Sequence, residues 1–184
     1  VVTPYAVEYD GLAHTATVTS ITGVNGETDS MVGAVTLNST HTAVGSYADS
    51  WSFAGANYQS LSGAITDTIK DTTAPVITSL STNAPTLWPP NHKMVPVTVA
   101  ATATDLVGVT SLKIISVTSS EPDNGGGDGD TANDIQVTGA LSVNLRAARS
   151  GHGNGRTYTI TVEARDAAGN ASTQTVTVLV PHDQ

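Results

Sequence analysis

Alternation of small polar and apolar residues is the feature that most restricts the fold of this chain. From Tyr158 to Ala164 every second side chain of the segment 156–165 is apolar, and those between are mostly threonine. The same alternation recurs in 172–180 and, over a shorter stretch, in 13–19. A period of two is typical of strands with one buried face, and no segment keeps helical spacing over three turns. The sequence therefore predicts an all-β protein.

A break in the alternation divides the chain. Residues 70–75 read Lys-Asp-Thr-Thr-Ala-Pro, and a proline holds its predecessor in an extended conformation. We expect a short linker here, joining a small β-sandwich-like module over 1–70 to a second domain over 71–184. Candidate strands of the first module are 4–9, 13–19, 33–37, 46–53 and 63–69.

The second domain has the rhythm of a seven-stranded immunoglobulin-like β-sandwich, with short strands and turns over about 110 residues. Its strands A to G are expected at 76–81, 94–104, 109–119, 135–138, 141–147, 156–165 and 172–180. Tyr158, near the start of strand F, is a candidate for the tyrosine corner of such sandwiches, although it also fits as an ordinary core residue.

Charge and composition exclude several classes of function. The chain has 7 Lys and Arg against 16 Asp and Glu, a net charge of −9, which is the wrong sign for binding nucleic acid. It has no cysteine, so disulfides, thiolate metal sites and cysteine nucleophiles are excluded. No apolar run approaches 20 residues, so we expect no membrane span.

Catalytic motifs are absent from the sequence. It has no Gly-x-Ser-x-Gly elbow, no His-Glu-x-x-His and no glycine-rich loop leading into a helix. Two tryptophans are a poor supply for the aromatic platforms of a glycosidase cleft. We therefore expect no enzymatic activity.

Two families resemble parts of the chain. Tyr9-Asp10-Gly11, residues 22–27 and residues 41–47 resemble the MBG/YDG repeat modules of bacterial surface proteins. Ala74-Pro75-Val76-Ile77, the run Leu87-Trp88-Pro89-Pro90-Asn91-His92-Lys93 and residues 166–170 resemble bacterial immunoglobulin-like modules of secreted multidomain proteins. The resemblance implies a secreted or cell-surface bacterial protein whose partners are neighbouring modules or copies of itself.

The acidic segment 121–134 is the strongest chemical signal. It holds five carboxylates, no Lys or Arg, and glycines that allow the backbone to fold back on itself. Calcium prefers six to eight oxygen ligands, so we predict that this loop between strands C and D binds calcium. A solvated acidic loop without a cation is the alternative. The predicted ligands are Glu121, Asp123, Asp128, Asp130 and Asp134.

Two weaker metal sites follow from sandwich topology, in which successive loops alternate between the two poles. One pole should collect His92, His152 and His182, a candidate for a second metal such as zinc, although three separate loop histidines explain the pattern as well. The opposite pole, facing the first module, should collect a candidate interdomain metal site of Asp71, Asp105, Asp166 and Asn170.

Three functions fit these observations. The leading hypothesis is a pair of non-enzymatic structural or adhesive modules, stabilised by calcium. A subunit of a self-assembling extracellular fibre is a second hypothesis. A carbohydrate-binding accessory module is the third, and it would require exposed aromatic side chains, of which Trp51 and Trp88 are the main candidates.

Overall fold

The computed structural model describes residues 1–123 and 132–183, and the chain forms two compact units, Val1–Thr72 and Thr73–Gln184. The boundary expected from the sequence lies after residue 70. Apart from the short 3-10 helix Asp29–Met31, the regular structure of the described residues is β-strand. No helix in that part is long and apolar enough to cross a bilayer.

The first unit is built on one four-stranded sheet and a two-stranded ribbon. Its strands are β1 (Val2–Thr3), β2 (Ala6–Glu8), β3 (Thr17–Val18), β4 (Ala34–Asn38), β5 (Gly45–Gly55) and β6 (Tyr58–Lys70). The sheet order is β2-β6-β5-β4, with β2 parallel to β6 and the other pairs antiparallel. The strands β1 and β3 form the ribbon.

The expected strand 13–19 is much shorter in the structure, where only Thr17–Val18 is strand. His14 forms an isolated bridge with His41, and the Ala16 N–H donates to the hydroxyl of Ser39 at 3.1 Å. A few isolated hydrogen bonds to residues 39–41 therefore take the place of a continuous strand pairing here. The apolar core of this unit is small, with only Ala16, Val32, Phe53 and Ile69 buried among its described apolar side chains.

The second unit is an immunoglobulin-like sandwich. Its strands are β7 (Val76–Thr82), β8 (Met94–Thr104), β9 (Val109–Ser119), β10 (Ile135–Gly139), β11 (Ser142–Arg146), β12 (Gly155–Asp166) and β13 (Ala171–Pro181). The two sheets have the orders β10-β11-β8-β7 and β13-β12-β9, which correspond to strands D-E-B-A and G-F-C. All seven expected strands are present, each with ends within one residue of the prediction. The predicted all-β sandwich class is confirmed.

The core of the sandwich lies between the inner faces of its sheets. The alternating side chains Tyr158, Ile160, Val162 and Ala164 of β12 are all 0 % exposed. Their neighbours in the core come mainly from β8, β11 and β13. The Tyr158 hydroxyl donates to the carbonyl oxygen of Arg146 at 2.9 Å, so it makes an upstream backbone bond of the kind expected for a tyrosine corner.

Candidate functional site

A buried arginine anchors the base of the predicted calcium loop. Arg156 begins the inward-facing row of β12 and is 0 % exposed. Its Nη1 donates to the Asp134 carboxylate and to the Tyr158 hydroxyl, the latter at 3.0 Å. Its Nε donates to Glu121 Oε2 at 3.2 Å, and its Nη2 to the Pro122 carbonyl at 3.2 Å. The guanidinium thus holds both ends of the loop.

A second arginine holds the same carboxylate. Arg146 Nε donates to Asp134 Oδ1 at 2.7 Å, and its other nitrogens donate to the carbonyls of His92 and Ala132. Asp134 itself is only 2 % exposed. Burial would lower the pKa of Arg156, but its bonds to Tyr158 and Asp134 more than offset this and raise that pKa above its ordinary value. The two arginines and Asp134 thus form a buried ion-pair network.

The other two described carboxylates of the loop also have protein donors. Glu121 Oε2 accepts from the Ser150 N–H at 2.8 Å in addition to Arg156. Asp123 accepts from the backbone N–H groups of Asp134 and Asn133 at 2.9 and 3.1 Å, which lower the pKa of Asp123.

The structure therefore brings Glu121, Asp123 and Asp134 together, but around guanidinium and N–H groups. A guanidinium beside a carboxylate reduces its attraction for a second cation. Asp128 and Asp130 lie outside the described residues, so calcium binding by the loop stays a prediction that depends chiefly on them.

The role of Arg156 was not predicted, although the sequence carries a signal for it. Arg156 has the same parity as Tyr158 and Ile160, and therefore falls on the buried face of its strand. An arginine on a buried face requires a buried carboxylate partner, because an unpaired charge there is very costly. A search for that partner would have led to the acidic segment and to a structural role for it.

The predicted histidine site stays a prediction, and the described residues do not bring its three rings together. The described residues include no set of three metal-binding side chains containing a histidine whose ligand atoms converge within 4.8 Å. The His182 ring is held instead by Asp183, at 2.8 Å from Nδ1, and by the Gly151 carbonyl, at 3.2 Å from Nε2. Hydrogen bonding to Asp183 raises the pKa of His182. Both ring nitrogens of His182 therefore have protein partners in this structure.

Two carboxylates of the predicted interdomain site do meet within the second unit. Oxygen atoms of Asp105 and Asp166 lie within 4.8 Å of each other. Asp105 Oδ1 accepts from the N–H groups of Val107 and Gly108, which fixes it in the turn after β8.

The Asp166 carboxylate closes the turn between β12 and β13. It accepts from the Gly169 N–H at 2.7 Å and from the backbone and side-chain nitrogens of Asn170 at 2.9 and 2.8 Å. Burial would raise the pKa of Asp166, but these donors outweigh it and lower the pKa, so the carboxylate is ionised at neutral pH. Asp71 belongs to the first unit, and the interdomain metal stays a prediction.

A buried acidic pair in the first unit was not anticipated. Asp67 is 0 % exposed, and its Oδ1 accepts from the Tyr5 N–H at 2.8 Å. Asp49 lies 2.8 Å from Nε2 of His41, whose ring stacks on Tyr47 with centroids 3.6 Å apart. Burial raises the pKa of Asp67 and the Asp49 carboxylate adds to the increase, while the Tyr5 N–H opposes it.

Comparisons with known proteins add little to this geometry. No family model matches the chain, and no curated protein matches it. Among solved structures it is similar to fibronectin(III)-like modules of Clostridium thermocellum CbhA, with a TM-score of 0.36 and 14% sequence identity. The match covers 98% of this chain and 90% of that one. At this score the likeness carries no argument about function.

Proposed function

We propose that the chain is a pair of non-enzymatic structural or adhesive modules from a secreted or cell-surface bacterial protein. The observation that carries this proposal is the pairing of the segment after the first strand of the second unit with its last strand. After β7, residues 85–87 cross to the edge of β13 and pair with it in parallel through a bridge between Thr86 and Leu179. The Leu87 N–H donates to the Leu179 carbonyl at 2.8 Å, and the Leu179 N–H donates to the Pro85 carbonyl at 2.9 Å.

This pairing suits a module that transmits force along the chain. Tension on the second unit enters near β7 and leaves at the end of β13, so the parallel strands are pulled from opposite ends. Their hydrogen bonds then carry the load together in shear, whereas an antiparallel hairpin pulled at one end opens one bond at a time. Forced unfolding is governed by the unfolding rate, so such a pairing prolongs survival under load.

Single-molecule force spectroscopy on the full chain tests the proposal. Leu179→Pro removes the N–H that bonds to Pro85, at a strand edge where proline is otherwise tolerated. We expect the unfolding force of the second unit to fall. The matched control is Thr177→Pro, an exposed position two residues earlier on β13, outside the paired segment. Equal forces for the two variants would contradict the shear model, and turnover of model esters, glycosides or peptides would contradict the non-enzymatic assignment.

We also propose that the second unit binds calcium. Carboxylates as close as those of Asp105 and Asp166 form a site that a cation would stabilise, and oxygen ligands of this kind suit calcium. The acidic loop, through Asp128 and Asp130, is the other candidate position. Assembly into a fibre stays a prediction, which filaments of the purified protein in electron microscopy would support.

A further inference from the structure

An apolar groove of about 420 Å³ opens on the first unit, which is within the usual size range of ligand pockets. It lies toward the β5–β6 turn, and Val1 and Val2 of the amino-terminal segment form part of its wall. Leu61 on its wall is 61% exposed. The larger side chains that line it are Val35, Trp51, Phe53, Tyr58 and Leu61.

The indole of Trp51 lies flat on the backbone of β6. Trp51 and Gly63 are cross-strand partners, and a methyl group at Gly63 would lie 2.7 Å from Cε2 and Cζ2 and 2.8 Å from Nε1 of the indole. Three adjacent ring atoms at nearly equal distances mean that one face of the ring rests on Gly63. The opposite face is turned away from β6, and Trp51 lines the groove. Gly63 thus allows the sheet to carry a flat aromatic surface.

The side chains that line the groove are uncharged at neutral pH, and the polar ones include Ser20, Thr22 and Gln59. Val1 also lines the groove, and its amino terminus donates to the Ser20 carbonyl. The Tyr58 hydroxyl donates to Glu27 at 3.1 Å, and burial raises the pKa of Tyr58, so the phenol is also neutral. A charged ligand would lose its hydration here without gaining an opposite charge from any lining side chain.

We propose that this groove binds a neutral sugar ring, with Trp51 as its stacking platform. A pyranose has an apolar face of C–H groups that fits an aromatic surface, and a rim of hydroxyl groups that requires neutral donors and acceptors. Ser20, Thr22 and Gln59 supply those partners. A purely aliphatic ligand would leave them unpaired, which is costly when they are covered. This binding role is independent of the mechanical role of the second unit.

Tryptophan fluorescence of the full chain provides the test, because the protein has only two tryptophans. In a Trp88→Phe background Trp51 is the sole indole. The probes are the neutral hexasaccharides of cellulose, xylan and chitin, titrated to millimolar concentration. We expect at least one of them to change the Trp51 emission saturably, with the same affinity by calorimetry for the wild-type chain.

Gly63→Ala is the decisive variant, since its methyl group displaces the indole while Trp51 itself is kept. We expect affinity to fall by at least about tenfold. Gly45→Ala is the matched control, because its methyl group would lie 2.8 Å from the Tyr47 ring, outside the groove, and it should leave affinity unchanged. Three outcomes would overturn the proposal: no response to any sugar, equal affinity in Gly63→Ala and Gly45→Ala, or binding of an apolar dye alone.

Discussion

A single buried arginine decides the energetics of the acidic loop. Replacing Arg156 with methionine leaves Asp134, which is 2 % exposed, with only one guanidinium, and removes a donor from Glu121. Breaking a buried ion pair in this way costs about 3–5 kcal/mol, because it leaves a charge without full compensation. We expect Arg156→Met to lower the free energy of unfolding of the second unit by about 3 kcal/mol, measured by urea denaturation.

The control for that variant is Arg165→Met. Arg165 is 43% exposed and pairs with Glu163 at 3.0 Å, so its loss should cost no more than about 1 kcal/mol. Similar losses for the two variants would show that burial of the network contributes nothing beyond a surface ion pair.

Asp67 gives the first unit a pH dependence. Because burial raises the pKa of Asp67, the folded unit binds this proton more tightly than the unfolded chain does. The stability associated with that proton is present at low pH and is lost as the pH rises through the pKa of the folded state. Asp67→Asn keeps an acceptor for the Tyr5 N–H and removes the buried charge. We expect it to stabilise the first unit by about 1 kcal/mol at pH 7, with the gain shrinking toward pH 4.

The pKa of Asp10 is shifted in the opposite direction to that of Asp67, so its effect on stability has the opposite pH dependence. The Leu12 N–H and then His14 lower the pKa of Asp10, so its contribution is present at neutral pH and is lost as the pH falls through that lowered pKa. Asp10→Asn should therefore destabilise slightly at pH 7. Thermal melts of both variants across pH 4 to 7 measure the two trends, and a gain for Asp67→Asn that is independent of pH would contradict the assignment.

At the scale of elements, the sequence predicted strands best where one face is fully buried. The strand β12 places Tyr158 to Ala164 in a dry core, so its alternation is strict and its limits could be found within one residue. The strands β1 and β3 have two residues each and are held by pairing between distant segments, so their limits do not follow from local alternation. Only Thr17–Val18 of the expected strand at 13–19 pairs with β1, so the strand is shorter than the alternation predicts.

Side-chain contacts and hydrogen bonds could be predicted from the sequence less well than the strands could. The pole that carries His92 and His182 could be inferred from the alternation of loops, but the direction of each ring depends on local bonds such as that of His182 to Asp183. The convergence of Asp105 and Asp166 could be predicted because both turns follow strands that end at the same pole. The flat contact of Trp51 with Gly63 depends on the register of β5 and β6, which the sequence pattern alone does not fix.

For the whole molecule, the net charge of −9 means that folding concentrates negative charge, and calcium is the cation expected to relieve it. Melting the full chain with calcium and with a chelator tests this. With free calcium at about 100 times the dissociation constant, binding stabilises the folded state by about 2.7 kcal/mol. We therefore expect chelation to lower the melting midpoint of the second unit by on the order of 10 °C.

Variants then locate the ion, because the two candidate positions predict different losses of the calcium response. If the acidic loop holds calcium, Asp128→Ala/Asp130→Ala abolishes the shift and Asp105→Asn keeps it. If the turn pair holds calcium, Asp105→Asn abolishes the shift, since it removes one of the two carboxylates that lie within 4.8 Å. Asp183→Asn is the control for lost charge alone, as that side chain is 89% exposed. A midpoint that does not respond to calcium in the unmodified chain would contradict both positions, and the arginine network would then be the whole explanation of the acidic loop.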